Sequence, residues 1–237
     1  FAGSALAIAA MPTAVMGAPA AVDIQFSICA PSAQVEQALK LRQVGPSMQV
    51  WLFDDASLSL FSRGLRIRLR EAKSGGELTL KVADQDCAKV SKELLPSGEG
   101  KCEFDMHDSK TTGELSLTHK VTIPAIQLLI AGRRAIADEL SAAQTRVLRG
   151  IPGAWPLPPG IRTLGPTRVN SYRTADKPYA VDMSTLPSGD TYIEISQKVK
   201  PADASRTSDA LVADLQKSGV PLCVDQSAQA VNKLRKL

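Results

Sequence analysis

Residues 64–82 read GLRIRLREAKSGGELTLKV. Side chains alternate across a strand, so Leu65, Ile67 and Leu69 share one face while Arg66, Arg68 and Arg70 share the other. The run Glu77–Val82 repeats the pattern: Leu78, Leu80 and Val82 lie opposite Glu77, Thr79 and Lys81. Ser74-Gly75-Gly76 supplies turn residues between the two runs, so the stretch predicts a β-hairpin with one apolar and one basic face. Like charges at close quarters repel, and such a face needs either water or an anion opposite it.

The alternation continues outward from this hairpin. Val22, Ile24, Phe26 and Ile28 oppose Asp23, Gln25, Ser27 and Cys29 in VDIQFSIC, which predicts a strand. SAQVEQALKLRQ reads as a short helix with Ser32 as its N-cap. MQVWLFD is an apolar strand running into an acidic turn, and KCEFDMHD alternates Cys102, Phe104 and Met106 against Lys101, Glu103, Asp105 and His107. Apolar residues at helical spacing predict a helical stretch from about Ile126 to Arg149, closed by Gly150. The Pro/Gly-rich IPGAWPLPPG is the strongest break and joins either two halves of one fold or two domains. Beyond it, TRVNSYRT, YAVDM and TYIEISQKV read as strands, with 186–190 as a hairpin turn between the last two. Two helices, SDALVADLQKSG and SAQAVNKLRKL, end the chain, and the whole is an antiparallel α+β fold.

Composition narrows the classes of function. The 237 residues suit one large domain or two small ones, and 44% hydrophobic content suffices for a core. A net charge of +4, without Lys/Arg runs interleaved with aromatics, argues against a nucleic-acid partner. Residues 1–21 carry no charge and end near Ala18-Pro19-Ala20, the pattern of the apolar core and exit of a signal peptide. Pro12, Gly17 and Pro19 interrupt that run, which speaks against a membrane span. The expectation is a signal peptide at 1–21, a domain at 22–237, no stable membrane span after cleavage, and a periplasmic or secreted location. The four cysteines lack zinc-site spacing, so in an oxidising compartment they predict two disulfides. The hairpin-like stretch between Cys87 and Cys102 favours pairing those two, leaving Cys29–Cys223 to tie the ends together.

Asp23, Arg66, Arg68, Lys81, Glu103, Asp105, Asp182 and Glu194 all fall on the polar side of strands whose other side is apolar. If the sheet curls with polar faces inward, acids and bases share a lumen. Carboxylates suit a divalent cation and guanidinium or ammonium groups suit phosphate oxygens, so the pattern matches a metal-bridged polyphosphate. An open sheet with its polar side in water is the alternative.

VWLFDDASLSLFSRGLRIRLREAKSGGELTLKV resembles the CYTH domain of the triphosphate tunnel metalloenzymes, in which a YFDT strand end, an LRIR strand and an LTLK strand follow one another. Phe53-Asp54-Asp55, Leu65-Arg66-Ile67-Arg68 and Leu78-Thr79-Leu80-Lys81 stand in those places, in that order. KCEFD, YAVDMSTLPSGDTYIEIS and the final SAQAVNKL follow the family's later pieces in sequence, so the resemblance covers about residues 22–237. It implies a closed antiparallel barrel of eight strands with flanking helices, whose lumen binds a triphosphate with a divalent metal, Mg or Mn. It further implies that Arg66, Arg68 and Lys81 grip phosphate, with Arg168 and Arg173 as further phosphate ligands. Asp23, Glu103, Asp105, Asp182 and Glu194 would approach the metal or order its water. Arg168 and Arg173 have opposite strand parity, so both reach the lumen only if a bulge intervenes.

One departure bears on catalysis. The family's first strand carries ExExK, whereas this chain has Asp23-Ile24-Gln25-Phe26-Ser27, with one shortened acid, one neutral amide and no lysine. Losing one electrostatic participant commonly costs about 10²–10³ in rate. Three readings stay open: an anion-binding barrel with metal-dependent hydrolysis, a non-catalytic polyanion-binding module, and a structural barrel. His107 shares the polar face of Glu103 and Asp105 and reads either as a further metal ligand or, the commoner case for a lone histidine near a strand end, as a surface residue. His119 has no carboxylate near it in sequence and receives no role.

Overall fold

The hydrophobic alternation of the strands is buried outward, against helices, and the polar alternation faces inward. The computed structural model describes residues 21–72, 75–87, 89–90, 99–107 and 110–237; the leader-like segment 1–20 and the turn residues 73–74 lie outside these. The elements in order are β1 (Val22–Ile28), α1 (Ser32–Ala38), β2 (Arg42–Gln43), β3 (Met48–Asp54), β4 (Leu65–Ala72), β5 (Gly75–Val82), β6 (Gly100–His107) and β7 (Lys110–Val121). There follow α2 (Ile123–Ile130), α3 (Ala142–Arg149), β8 (Arg162–Arg173), β9 (Ala180–Thr185), β10 (Thr191–Val199), α4 (Ala204–Lys217) and α5 (Gln226–Arg235).

The strands pair in the order β2-β8-β3-β4-β5-β7-β6-β1-β10-β9, and β9 pairs back onto β8. That last pairing closes the barrel. The circuit holds nine strands rather than the expected eight, with the two-residue β2 added at the edge of β8. It is also mixed, because β1 runs parallel to β6 while antiparallel to β10. The ninth strand is β7, which the sequence-based expectation lacked. The register of the opening hairpin is as its parity predicts: Arg66 opposes Lys81, Ile67 opposes Leu80 and Arg68 opposes Thr79.

Two apolar layers clad the barrel. Trp51, Phe53, Leu65, Ile67, Leu69, Leu78, Leu80, Leu115 and Leu117 pack beneath α2 and α3. Ile24, Phe26, Val181, Met183, Ile193 and Ile195 pack beneath α1 and α4, whose Val35, Leu211 and Leu215 are fully buried. The proline-rich segment packs Ala154, Trp155, Leu157 and Ile161 onto the first of these layers, and β8 beyond it pairs with β3, so it links two stretches of one sheet.

The expected continuous helix at 126–149 is two helices. Gly132 sits at φ +66°, and the chain makes a 3-10 turn before Ser141 opens α3 with a capping box shared with Gln144. Gln144 also repays its own burial, because Nε2 donates to the carbonyls of Leu78 (3.0 Å) and Leu117 (2.9 Å) on adjacent strands. At α1 the cap position is held by Pro31, without a side-chain cap bond, and Ser32 is the first helical residue.

Both disulfides are present with the expected partners, Cys29–Cys223 and Cys87–Cys102. The second lies on the loop after β5, which crosses β7 at Gly113. A Cβ there would sit 1.9 Å from the Gln85 carbonyl oxygen, so only glycine lets the loop pass.

Candidate functional site: a charged barrel lumen

Inward-pointing residues follow from the register alone. Arg66, Arg68 and Arg70 on β4 oppose Lys81, Thr79 and Glu77 on β5. Lys81 opposes Ser116 on β7, and Glu114 of β7 opposes Glu103 on β6. Asp23 on β1 lies between Asp105 of β6 and Lys198 of β10, and Glu194 of β10 opposes Asp182 of β9. Thus Arg66, Arg68, Lys81, Asp23, Glu103, Asp105, Asp182 and Glu194 are brought together in one lumen.

The two remaining candidates part company. The β-bulge on β8 lies opposite Val50–Leu52, upstream of both arginines, and pairing with β9 is regular from Arg168 to Arg173. Arg173 therefore shares the inward face with Ser171, which donates to Asp182 at 2.6 Å. Arg168 opposes Thr185, on the face of Val181 and Met183, and is exposed on the outside of the barrel. The structure does not bring Arg168 to the lumen.

The basic wall is formed by β4, β5 and β7. The Glu114 carboxylate is 6% exposed and accepts from both Arg66 and Lys81, one oxygen to each. Burial opposes its ionisation, but Lys81 and Arg66 outweigh that and hold its carboxyl below the usual range. Burial pushes Lys81 down, against the pull of Glu114. Arg68 has a different environment. Burial, then the neighbouring charges of Arg70 and Arg66, push its guanidinium down to about 9. Its Nε is buried without a hydrogen-bond partner. An unpaired guanidinium in such a place favours an anion strongly.

The acidic wall is formed by β1, β6, β9 and β10. Burial raises Asp105 to about 6, helped by the adjacent Glu114 charge. Burial also raises Asp23, against the pull of Lys198 at 3.7 Å, and leaves Asp23 Oδ1 without a partner. Glu103 accepts from Lys101 at 2.6 Å and from Lys198 at 3.2 Å. Enclosure within the barrel raises Glu194, yet its side chain remains accessible to water, as befits a group facing a wet lumen. His107 lies on the same inward side, and burial and then Arg66 lower its pKa.

One mouth of the barrel is crossed by α5. Leu234 is buried and lines a small cavity with Leu52, Phe53, Phe61 and Leu65 at the ends of β3 and β4. Gln226 fixes the helix start by accepting from Ser27 N (2.6 Å) and donating to Ser27 O (3.0 Å). Lys236 fixes its end through Asp190 at 3.3 Å. Lys233 points inward: burial lowers its pKa, while the charges of Glu194 and Asp182 act to raise it. Nearby, Asp54 holds the loop after β3 by accepting from Asp55 N (2.9 Å), Leu60 N (3.0 Å) and Phe61 N (2.9 Å). That fixes the entry of β4.

Sequence reasoning left Glu114, Arg70, Lys198 and Lys233 out of the site. The first three were within reach: Glu114-Leu-Ser-Leu-Thr118 alternates as clearly as the other strands, and Arg70 and Lys198 share parity with Arg68 and Glu194. Nothing in the sequence showed that α5 crosses the mouth and turns Lys233 inward.

No family model and no curated protein matches the chain. Solved structures do. The chain is similar to a putative adenylyl cyclase from Hippeastrum described as having a dominant triphosphatase activity, at TM-score 0.56 and 20% identity, covering 91% of this chain and 96% of that one. It is also similar to a putative adenylate cyclase from Bacillus halodurans, at TM-score 0.55 and 11% identity, covering 89% and 98% respectively. The chain therefore has the CYTH-like tunnel fold: a closed mixed β-barrel with flanking helices.

Proposed function

We propose that the lumen captures a triphosphate or polyphosphate-type anion, gripped by Arg66, Arg68 and Lys81, with Arg173 further along the inward face. The observation that carries this reading is Arg68, a buried guanidinium between two other arginines whose Nε has no partner. Charge-assisted bonds to phosphate oxygens are the strongest way to satisfy it. Calorimetric titration with tripolyphosphate tests the reading. Saturable binding by the wild type, lost in Arg68→Ala, supports it; no binding at any ionic strength overturns it.

The metal set does not fit as arranged. Asp23, Glu103, Asp105, Asp182 and Glu194 offer the oxygen donors that Mg²⁺ or Mn²⁺ requires. However, among the described residues no three His, Cys, Asp or Glu side chains are grouped so as to hold an ion. Lys198 also stands between Asp23 and Glu103. No metal-dependent step follows from such an arrangement. Divalent-metal-dependent hydrolysis is a second reading, favoured by the unpartnered Asp23 Oδ1 and by the activity ascribed to the Hippeastrum protein. Phosphate release from tripolyphosphate that requires Mg²⁺ or Mn²⁺ and is lost in Glu194→Gln establishes it. Binding without release leaves the polyanion-binding module.

The two disulfides suit an oxidising compartment. Together with the leader-like residues 1–21 they support a periplasmic or secreted protein. Among the described residues no helix is long and apolar enough to cross a membrane. N-terminal sequencing of the mature protein checks this: a start near residue 21 or 22 supports cleavage, and a retained leader rejects it.

A further inference from the structure

Glu114 sits where the anion should. Arg66 and Lys81 face each other across β4 and β5, and both point at the same buried carboxylate on β7. A carboxylate offers two anionic oxygens in a plane, which is what one edge of a phosphoryl group offers. Ser116 Oγ, 3.5 Å from Oε1, adds a third polar neighbour. Among the described residues these two cations have no other ion-pair partner, whereas Arg68 beside them has none at all.

We propose that Glu114 is a resident competitor that sets the lumen's selectivity for anions with several linked phosphoryl groups. The inference rests on the anion-binding reading and names what that site rejects. A tethered carboxylate acts at a high effective concentration, because it is already held beside its partners. Orthophosphate brings one charged group and must displace Glu114 with that group alone. A linear triphosphate first engages the unpaired Arg68 and the adjacent Arg70, and its next phosphoryl group then displaces Glu114 as an intramolecular event. The carboxylate thus penalises every anion, and most of all those too short to reach both positions.

Calorimetric titration of the folded, disulfide-bonded protein with orthophosphate, pyrophosphate and tripolyphosphate tests this, comparing wild type with Glu114→Gln. Glutamine keeps the shape and removes the charge. The variant is expected to bind orthophosphate at least tenfold more tightly, with a smaller gain for tripolyphosphate, so the preference for the longer anion narrows. A wild type that binds tripolyphosphate beside a variant with unchanged preference, or with weaker binding of all three anions, overturns the competitor while leaving the anion-binding reading intact. Binding by neither protein overturns that reading and the competitor with it. A measurement on the wild type needs no variant. Its Glu114 carboxyl carbon resonance is expected to move on saturation with tripolyphosphate, as the carboxylate leaves Arg66 and Lys81. A stationary resonance at saturation overturns the proposal.

Discussion

On the β4–β5–β7 wall, Arg66 and Lys81 share one deeply buried carboxylate, Glu114, and Arg68 beside them has no ion-pair partner among the described residues. On the facing wall of β1, β6, β9 and β10, the carboxylates outnumber their partners, and Asp23, Asp105 and Glu194 are all raised above their ordinary range. The two sides respond differently to enclosure. A carboxyl can take up a proton and shed its charge, so the acidic wall relaxes as pH falls. Arg68, although lowered to about 9, still carries its charge at neutral pH, so the basic wall stays cationic there. At neutral pH the fold thus keeps a steady positive charge on one side and an adjustable negative charge on the other.

Two covalent ties reach the barrel, one at the end of β1 and one from the loop after β5 to β6, and the largest predicted effect comes from comparing them. Cys29–Cys223 joins the end of β1 to the segment before α5 across 194 residues of chain, whereas Cys87–Cys102 closes 15. In the chain-entropy treatment the longer loop is worth about 5 kcal/mol and the shorter about 3. The double variant Cys29→Ser/Cys223→Ser is therefore expected to lose more stability in urea unfolding than Cys87→Ser/Cys102→Ser. The reverse order would place the main constraint at the junction of the two walls, where the loop after β5 meets β6.

Arg68→Met probes the contrast in another way. It removes a buried, unpaired charge, so tripolyphosphate affinity is expected to fall by about 2 kcal/mol, some thirtyfold, while the melting temperature rises or holds. A fall in both would mean that Arg68 is a structural cation and not a binding one.

The smallest effect concerns the adjustable side. Asp105, raised to about 6, binds its proton more tightly in the folded state than at its ordinary value of 3.8. Its stabilising contribution is complete below that ordinary value and is lost as pH rises through about 6. Asp105→Asn should therefore gain on the order of 1 kcal/mol over wild type at pH 7.5, allowing for water in the lumen, and nothing at pH 4. Equal stabilities at both pH values would show that the carboxyl is not enclosed.

Much of this was legible in the chain. Strict alternation placed Arg66, Arg68, Lys81, Asp23, Glu103, Asp105, Asp182 and Glu194 on polar faces, because a strand offers only two sides. The order of the LRIR- and LTLK-like strands then named the barrel. Alternation does not say how many strands close it, since closure depends on which edges meet, and the parallel pairing of β1 with β6 has no local signal. Arg168 and Arg173 show the limit well: parity separates them, but only the position of the bulge, upstream of both, decides which one faces inward. The break inside 126–149 is likewise hidden, because apolar spacing continues through Gly132 while the backbone turns.

The seating of β1 between β6 and β10 has a consequence in time. Hairpins such as β4–β5, β6–β7 and β9–β10 join neighbours in sequence and close quickly, whereas Val22–Ile28 pairs with Thr191–Val199. Contacts so far apart along the chain are slow to form. The earliest strand therefore waits for the latest, and until they meet Asp23 and Glu194 are ordinary solvated acids on separate pieces of sheet. The enclosure that shifts them depends on the strand pairing that spans most of the chain.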